Sequence, residues 1–289
     1  MLLLKMLSDM NKKLVLVLIL GFLNKTWAEA QVKKVKSDPL LWTELQADFY
    51  LKNKGFFFFR NQWRHNTDDA FPGIKESGLL SKFYQVYVLA GYEQRFTEKW
   101  SGSLFARYTF AAFNDNQIYQ AALRHNGKIG ETSFIKRLAY DYIRPEFGDS
   151  RGRIRPNMAL ERNFKLGNHT LRPHLSYELF FYQDFKEEDP LIETRLVDRT
   201  RLRIAASYEV TSYLWLTPYF TKQTEYYNVL DTFTGESDDQ GNPIIKEKGG
   251  KRNRIDPIIG LDIRFIIRSK NTSDDTVPML PSLNDATSN

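Results

Sequence analysis

The feature that most constrains the fold is a strict two-residue alternation across residues 83–110. In its first arm, Val86 and Val88 fall on one face, while Gln85 and Glu93 fall on the other. Successive side chains of a β-strand point to opposite faces, so the pattern predicts a strand with one apolar and one largely polar face. A second arm repeats the alternation after a short turn, which predicts a β-hairpin. Each apolar stripe is about ten residues long, the length that a tilted strand needs to cross a bilayer.

The same alternation recurs along the chain and predicts an all-β fold, an antiparallel transmembrane β-barrel. Eleven segments carry the pattern: residues 41–51, 56–65, the two arms within 83–110, 118–124, 132–143, 154–164, 171–182, 197–210, 214–226 and 258–267. Single-chain bacterial barrels have even strand numbers. We therefore expect about twelve strands, with ten as the alternative. A further strand within residues 31–40, a wrong assignment at 118–124, or an N-terminus threaded through the lumen would account for the odd count.

Connections between these segments alternate between short turns and long loops. Short turns are predicted at residues 126–127, 166–168 and 211–212, and the longest loop is predicted at 228–254, where a projecting hairpin is plausible. Outer-membrane barrels have short periplasmic turns and long outer loops. The pattern therefore places the short turns in the periplasm.

The two ends of the chain are predicted to lie outside the barrel. Residues 1–30 read as a signal peptide, with Lys12 and Lys13 ahead of an apolar run and small residues at the cleavage site. A membrane anchor is the alternative, but the run is too short to span a bilayer as a helix. Residues 31–40 form an N-terminal lead, 41–268 the barrel, and 269–289 a disordered tail rich in Ser, Asp, Asn and Pro.

Composition excludes several classes of function. The sequence has no cysteine, so disulfides and a lipoprotein anchor are excluded, and the net charge of +6 is spread along the chain. Basic residues do not cluster with aromatic residues on one face, and with export this argues against a nucleic-acid partner. The histidines have no metal-ligand spacing and there is no phosphate-binding glycine loop, so we expect no metal and no cofactor. A protein partner cannot be named from the sequence.

Location in the outer membrane implies two kinds of partner. The apolar faces would contact outer-membrane lipid and lipopolysaccharide. The last segment, residues 258–267, resembles the aromatic-ended closing strand that the barrel-assembly machinery recognises. Acidic clusters at residues 68–69 and 187–189 in predicted outer loops could bind divalent cations, although such clusters are more often solvated loop charge.

The energetic cost of a one-residue slip determines the register of the predicted strand 197–210. Arg199, Arg201 and Arg203 alternate with Leu202 and Ile204. A slip of one residue would place three arginines in lipid, each at about 2–4 kcal/mol near mid-depth. The arginines are therefore predicted to face the lumen.

The predicted lumen is rich in charge of both signs. Its basic residues are Arg60, Arg64, Arg95, Arg107, Arg137, Arg155, Arg172, Arg199, Arg201, Arg203 and Arg264, and its acidic residues are Glu44, Asp48, Glu93, Asp141, Glu161, Glu178, Glu209, Glu225 and Asp262. These charges could pair into a salt-bridged plug that fills the interior. They could also line a narrow, porin-like path for small anionic solutes. Composition does not separate the two, because the answer depends on which charges pair.

Several of these positions resemble those of a known family. Trp42 opens the first strand, Arg60 and Arg64 end the second, a Gly-Tyr-Glu run occupies 91–93, and Arg-Thr-Arg-Leu-Arg occupies 199–203. Over residues 41–267 the chain resembles the Gram-negative outer-membrane family called domain of unknown function 2490. The resemblance implies a small outer-membrane barrel with no assigned activity.

A sharper chemical motif lies on one strand, where His174, Ser176 and Glu178 follow one another on the predicted inner face. His-x-Ser resembles the catalytic pair of outer-membrane phospholipase A and of lipid A deacylase, in which histidine activates serine for acyl transfer. Here Tyr-Glu follows the serine instead of Asn-Gly, and the pair points away from acyl chains. The sequence therefore favours a non-enzymatic barrel, with a lipid or lipopolysaccharide acyl hydrolase as the alternative. A soluble periplasmic β-protein that hides the apolar stripes in a core is a third hypothesis.

Overall fold

The computed structural model describes residues 32–74, 82–184, 196–237, 240 and 243–268. All regular structure in these residues is β, and no helix among them is long and apolar enough to cross a membrane. The predicted signal peptide at residues 1–30 and the predicted tail at 269–289 lie outside the described residues. The strands are β1 (Lys33–Lys36), β2 (Leu40–Tyr50), β3 (Gly55–Asn66), β4 (Phe83–Arg95), β5 (Trp100–Ala111), β6 (Asn116–Ile129), β7 (Thr132–Pro145), β8 (Arg151–Glu161), β9 (Phe164–Leu166), β10 (His169–Asp184), β11 (Arg199–Thr211), β12 (Leu214–Val229), β13 (Thr232–Ser237), β14 (Pro243–Glu247) and β15 (Gly250–Arg268).

Eleven of the described strands form a closed barrel, which confirms the predicted all-β barrel fold. Each neighbour in the order β2 to β8, β10, β11, β12 and β15 pairs with the next, and β15 returns to β2. The eleven are the segments that the alternation predicted, so the expected counts of twelve and ten are wrong. In an antiparallel meander with an odd count, the first and last strands run in the same direction. The closing pair β15–β2 is accordingly parallel, from Ile258↔Leu40 to Arg268↔Tyr50.

The further strand sought within residues 31–40 exists but does not add a place to the ring. It is β1, which also pairs with β15. The backbone N–H of Ser37 donates to the carbonyl of Ile255 at 3.1 Å, just ahead of the β2 pairing. Because β1 precedes β2 along the same edge of β15, the ring keeps its odd count.

The described residues divide into two compact units. The barrel unit comprises residues 35–227 and 254–268, and the second unit comprises 228–253 with 32–34. Within the second unit, β13 and β14 form a two-stranded antiparallel hairpin. Thr234 Oγ1 donates to the carbonyl of Ile244 at 3.3 Å in this hairpin.

The predicted turn at residues 126–127 is wrong. Asn126 and Gly127 pair with Ile135 and Phe134 inside the β6–β7 ladder, which continues to the pair Ile129↔Thr132. The chain reverses after Ile129, where Gly130 adopts φ +60°. Asn-Gly favours a hairpin turn but does not impose one where the two strands keep pairing. The weak segment 118–124 therefore extends to the fourteen residues of β6.

The two faces of the barrel wall have opposite polarity. In β2, Glu44 and Asp48 are buried, whereas Leu45 and Phe49 are exposed. The alternation of buried and exposed residues holds along β3, β5, β8 and β11 as well. Two apolar clusters also lie inside, one around Phe58, Tyr87 and Leu89 and one around Trp42 and Tyr219. The interior is therefore mainly polar and charged, and the apolar stripes lie on the outside.

Candidate functional site

The barrel interior holds most of the residues that the sequence analysis singled out. Those buried there are Arg60, Arg64, Arg107, Arg199, Arg201, Arg203, Glu93 and Glu178, with Arg155, Arg172, Glu44, Asp48, Asp141, Glu161 and Asp262. Arg95, Arg137 and Glu209 are half-buried. Period-two alternation puts them on one face of their strands, and closure of the ring brings those faces together.

Glu44 is the centre of one network on the wall formed by β2, β3 and β4. Its carboxylate accepts hydrogen bonds from the Tyr87 hydroxyl at 2.6 Å and from Gln62 Nε2 at 3.1 Å. Arg60 Nη1 lies 3.7 Å from its other oxygen. Arg64 donates to Gln62 at 2.6 Å and is bonded to Gln85. The network ties three neighbouring strands together through side chains.

Asp141 is the centre of a second network on β7, β8 and β10. Arg153 Nε donates to its carboxylate at 2.7 Å, and Arg155 Nη1 lies 3.4 Å away. Arg155 Nη2 also donates to Glu178 at 2.5 Å. Arg155 thus bridges two carboxylates, and Glu178 is engaged in an ion pair.

Two further ion pairs join the last strand to distant parts of the chain. Arg203 Nη2 on β11 donates to Asp262 at 2.6 Å, and Arg264 Nε on β15 donates to Asp48 on β2 at 2.7 Å. The second pair crosses the parallel seam and joins residues 216 positions apart. Such pairs stabilise closure of the ring only if both partners remain, because a lone buried charge is costly.

Arginine and aromatic side chains meet across the lumen. The Arg201 guanidinium lies 5.2 Å from the Trp42 ring of β2 and 5.3 Å from the Phe180 ring of β10. Arg64 stacks on Trp42 at 3.9 Å. Since β2 and β10 are separated by three strands in the ring, Arg201 spans the interior. Cation–π contacts of this kind strengthen when water is excluded.

Three buried charged residues were not predicted from the sequence. Arg124 is paired with Glu93, Arg153 with Asp141, and Asp256 accepts from Gln223 Nε2 at 3.1 Å. Arg153 lies at the end of a predicted loop and Asp256 just ahead of a predicted strand, because β8 and β15 begin earlier than predicted. If the two-residue alternation is continued past the predicted strand ends, Arg153 and Asp256 fall on the inner face.

The His174 motif faces the interior, as the alternation predicted. His174 and Ser176 are both buried, and His174 Nδ1 lies 2.8 Å from Glu161 Oε1. Glu178, the third residue of the motif, pairs with Arg155. A carboxylate that orients a histidine is one element of a serine hydrolase site. Glu161 on β8 supplies that element, and the motif lies on the inner face of the wall.

Asp68 and Asp69, the acidic loop residues that the structure describes, are engaged in local contacts. Lys82 forms an ion pair with Asp69, and this hydrogen bond and charge hold the pKa of Asp69 below its ordinary value. Asp68 Oδ1 accepts from the backbone N–H of Ala70 at 2.9 Å. Among the described residues, no cluster of three or more potential ligands could hold a metal ion. Residues 187–189 lie outside the described residues.

The outer face of the wall carries two adjoining apolar depressions, of about 780 and 700 Å³. Both are bordered by Tyr92, Leu104, Ala121 and Tyr140. Small residues on the outer face make the floor, and aromatic rings make the rim. Linear or branched apolar groups fit such a surface better than a polar solute does.

The model of the family described as "Protein of unknown function (DUF2490)" matches residues 40–233. This is well over half of the chain. The chain belongs to the DUF2490 family. No curated protein matches it.

The family match confirms the resemblance that the sequence suggested. In this DUF2490 protein it begins at the first residue of β2 and ends within β13. Arg60, Arg64, His174 and the arginines of β11 lie inside the match. Asp256, Asp262 and Arg264 on the closing strand lie beyond it.

Proposed function

We propose that this DUF2490 protein is an outer-membrane β-barrel of a Gram-negative bacterium. The observation that carries the proposal is the polarity of the wall, which is charged inside and apolar outside. Leu104 is 66% exposed and Ile204 55% exposed, while Arg60 and Asp141 inside are fully buried. Contiguous apolar surface larger than a few hundred Å² is rare on soluble monomers. A hydrocarbon environment removes the cost of that surface, and closure leaves no unpaired strand edge within the ring.

The alternative of a soluble periplasmic β-protein has less support. It requires the apolar stripes to be packed into a core. The described residues place those stripes on the outer surface and fill the core with ion pairs. Only an extensive partner surface covering the outside would reconcile this arrangement with water.

For the role of the barrel, the dense interior supports a structural, closed lumen. The side chains of Arg60, Arg153 and Arg155 have no exposed surface. Ion pairs surround Glu44 and Asp141, and Arg201 lies between the Trp42 and Phe180 rings. A barrel filled in this way holds its shape without opening a wide pore.

A narrow path for small anions is the second candidate, and it rests on β11. Arg199, Arg201 and Arg203 keep 7–8% of their surface exposed, whereas Arg60 and Arg64 on β3 keep 2% or less. The three more accessible arginines occupy alternate positions along β11. Rings or ladders of arginine select anions in pores.

An acyl hydrolase using His174 and Ser176 is the alternative activity. The contact between His174 and Glu161 favours it, and the position of the motif inside the wall disfavours it. A lipid substrate would have to bring its acyl chain into a charged interior. The hydrolase therefore has less support than the closed barrel.

The proposed partners follow from the same polarity. The outer depressions would be filled by acyl chains of outer-membrane lipid and lipopolysaccharide. The closing strand β15 presents Phe265 and Ile267 on the outer face near its end, which suits recognition by the barrel-assembly machinery.

The deciding experiment combines extraction with conductance. We expect the protein to stay in the membrane fraction after alkaline carbonate and to be released by detergent. The refolded chain should migrate differently on gels before and after boiling. In planar bilayers a closed lumen gives no steps, and an anion path gives small anion-selective steps. Release by carbonate alone would contradict the membrane proposal.

A further inference from the structure

The interior contains one aromatic ring that is surrounded by positive charge. Phe180 on β10 is completely buried. The guanidinium groups of Arg153, Arg155, Arg199 and Arg201 lie 5.6, 5.0, 5.7 and 5.3 Å from the centre of its ring. We call these four arginines with Phe180 the arginine cage.

Among the described residues, the carboxylates around Phe180 are fewer than the arginines of the cage. Asp141 pairs with Arg153 and Arg155, Glu178 with Arg155, and Glu225 with Arg199. Arg201 Nε donates to the amide oxygen of Gln223 at 2.8 Å, and Glu178 lies opposite Arg201 in the β10–β11 register. Among the described residues, the four guanidinium groups of the cage are thus met by three carboxylates, one of which, Glu225, also pairs with Arg254. Next to the cage, Arg151 with Asp198 and Arg254 with Asp256 add two charges of each sign, which leaves the excess unchanged.

Two hydrogen-bond donors of Arg199 have no acceptor among the described residues. Its Nη2 lies 2.5 Å from Glu225, but Nε and Nη1 are buried and have no hydrogen-bond partner among the described residues. The side chain is 9% exposed. Buried donors are nearly always satisfied in native proteins, by protein, water or a bound ion. A positively charged group with open donors favours an anion over water alone.

The cage lies close to the rim of the barrel that carries the long connections. Arg199 is the first residue of β11, and Arg153 is the third residue of β8. Tyr182, near the end of β10, accepts from Arg153 Nη1 at 3.0 Å, and the exposed Arg151 lies 4.6 Å from its ring. Arginines therefore lead from the exposed rim to the cage.

We propose that the arginine cage binds a small oxoanion of the phosphate class, held by Arg199 Nε and Nη1 and by the positive excess around Phe180. Planar guanidinium groups recognise phosphate oxygens through charge-assisted hydrogen bonds. The site requires no open pore, so it stands whether or not the lumen conducts. The phosphate group could be free phosphate or part of a phosphorylated sugar headgroup.

The test is the thermal unfolding midpoint of the refolded full chain in detergent, titrated with inorganic phosphate against chloride at equal ionic strength. A ligand that binds only the folded state raises the midpoint in a saturable way. We expect saturable stabilisation by phosphate and not by chloride. Equal effects of the two salts would overturn the proposal and indicate general screening.

Three variants test whether phosphate binds at the arginine cage. Arg199→Gln removes the open donors, and we expect phosphate affinity to fall about tenfold or more, as for a hydrogen bond to a charged group. Glu225→Gln removes the competing carboxylate and should raise phosphate affinity, which keeps the test valid if Arg199→Gln does not fold. Arg264→Gln on β15, which removes a buried arginine paired with Asp48, should leave the affinity unchanged despite a lower starting midpoint. Unchanged affinity in Glu225→Gln, or equal losses in Arg199→Gln and Arg264→Gln, would overturn the proposal.

The source of the phosphate group follows from a second titration. Glucose 1-phosphate binding more tightly than inorganic phosphate would assign the cage to a phosphorylated sugar headgroup. The reverse order would assign it to free phosphate. Both orders support the cage as an oxoanion site, and stabilisation by neither compound would contradict it.

Discussion

The inner and outer faces of the barrel wall are stabilised in opposite ways. On β2, Asp48 pairs with Arg264 inside, and its neighbour Phe49 lies exposed outside. Inside, stability depends on partners, because each buried charge needs its counter-charge. Outside, it depends on what surrounds the barrel, because much of the apolar surface of the stripes is exposed. A substitution should therefore have a large effect inside regardless of solvent, and outside only when lipid is present.

Removal of one buried charge from the inner face should give the largest loss of stability. Glu44→Ala leaves Arg60 without its carboxylate and deprives Tyr87 and Gln62 of an acceptor. Breaking a buried pair costs about 3–5 kcal/mol in the free energy of unfolding. Urea unfolding of the refolded protein in vesicles measures this. Thr43→Ala, the adjacent residue on the outer face, is the matched control and should change stability little.

An outer substitution tests the other side of the comparison. Leu104→Arg on β5 should cost about 2–4 kcal/mol if that position lies near mid-bilayer. Leu104→Ala is the control for the loss of the leucine alone. Vesicle unfolding in which arginine and alanine behave alike would mean that the outer face does not contact hydrocarbon.

A smaller loss of stability is expected at Gly91, where the inner face leaves no space for a side chain. A Cβ at Gly91 would lie 2.5 Å from Phe58 Cζ and 2.7 Å from the Leu104 carbonyl oxygen. Gly91→Ala should therefore destabilise the barrel by about 1–3 kcal/mol through overpacking. Ala90→Gly on the adjacent outer position removes a methyl group that packs against no inner neighbour. If the two variants had equal midpoints, the packing of Phe58 against Phe105 would be looser than the structure indicates.

The arginine ladder should affect conductance more than stability. If β11 lines an anion path, replacing Arg199, Arg201 and Arg203 together by Ala should lower the anion-to-cation permeability ratio of single-channel steps. A variant in which Lys222, on the outer face of β12, is replaced by Ala serves as control. Silence of both wild type and triple variant, with folded barrels on gels, would rule out the path and leave the closed scaffold.

We expect the smallest change in a measured property from substitution in the His174 motif. Under the proposed non-enzymatic role, Ser176→Ala should leave fatty-acid release from phospholipid and lipopolysaccharide unchanged from the background of the refolded protein. Release by the wild type that disappears in Ser176→Ala would instead establish the acyl hydrolase. Glu161→Gln should then reduce the rate as well, because it removes the partner of His174.

Much of the fold could be predicted because alternation is local. The barrel strands carry an apolar stripe on the outer face at a spacing of two, so neighbours in sequence suffice to orient Arg199, Arg201 and Arg203. The inner position of Glu44, Asp48 and Arg60 follows in the same way. Strand ends were less certain, since pairing rather than pattern decides where a strand stops. Arg153 was missed for that reason.

The sequence by itself thus determined the strands, their two faces and the charged interior. Only the tertiary structure decided the odd strand count, the parallel seam between β2 and β15, and the turn after Ile129. It also decided which charges meet: Arg264 with Asp48, Arg203 with Asp262, His174 with Glu161, and four arginines with Phe180. These contacts join residues far apart in the chain. Their geometry depends on the stagger between strands around the closed ring, which no local pattern encodes.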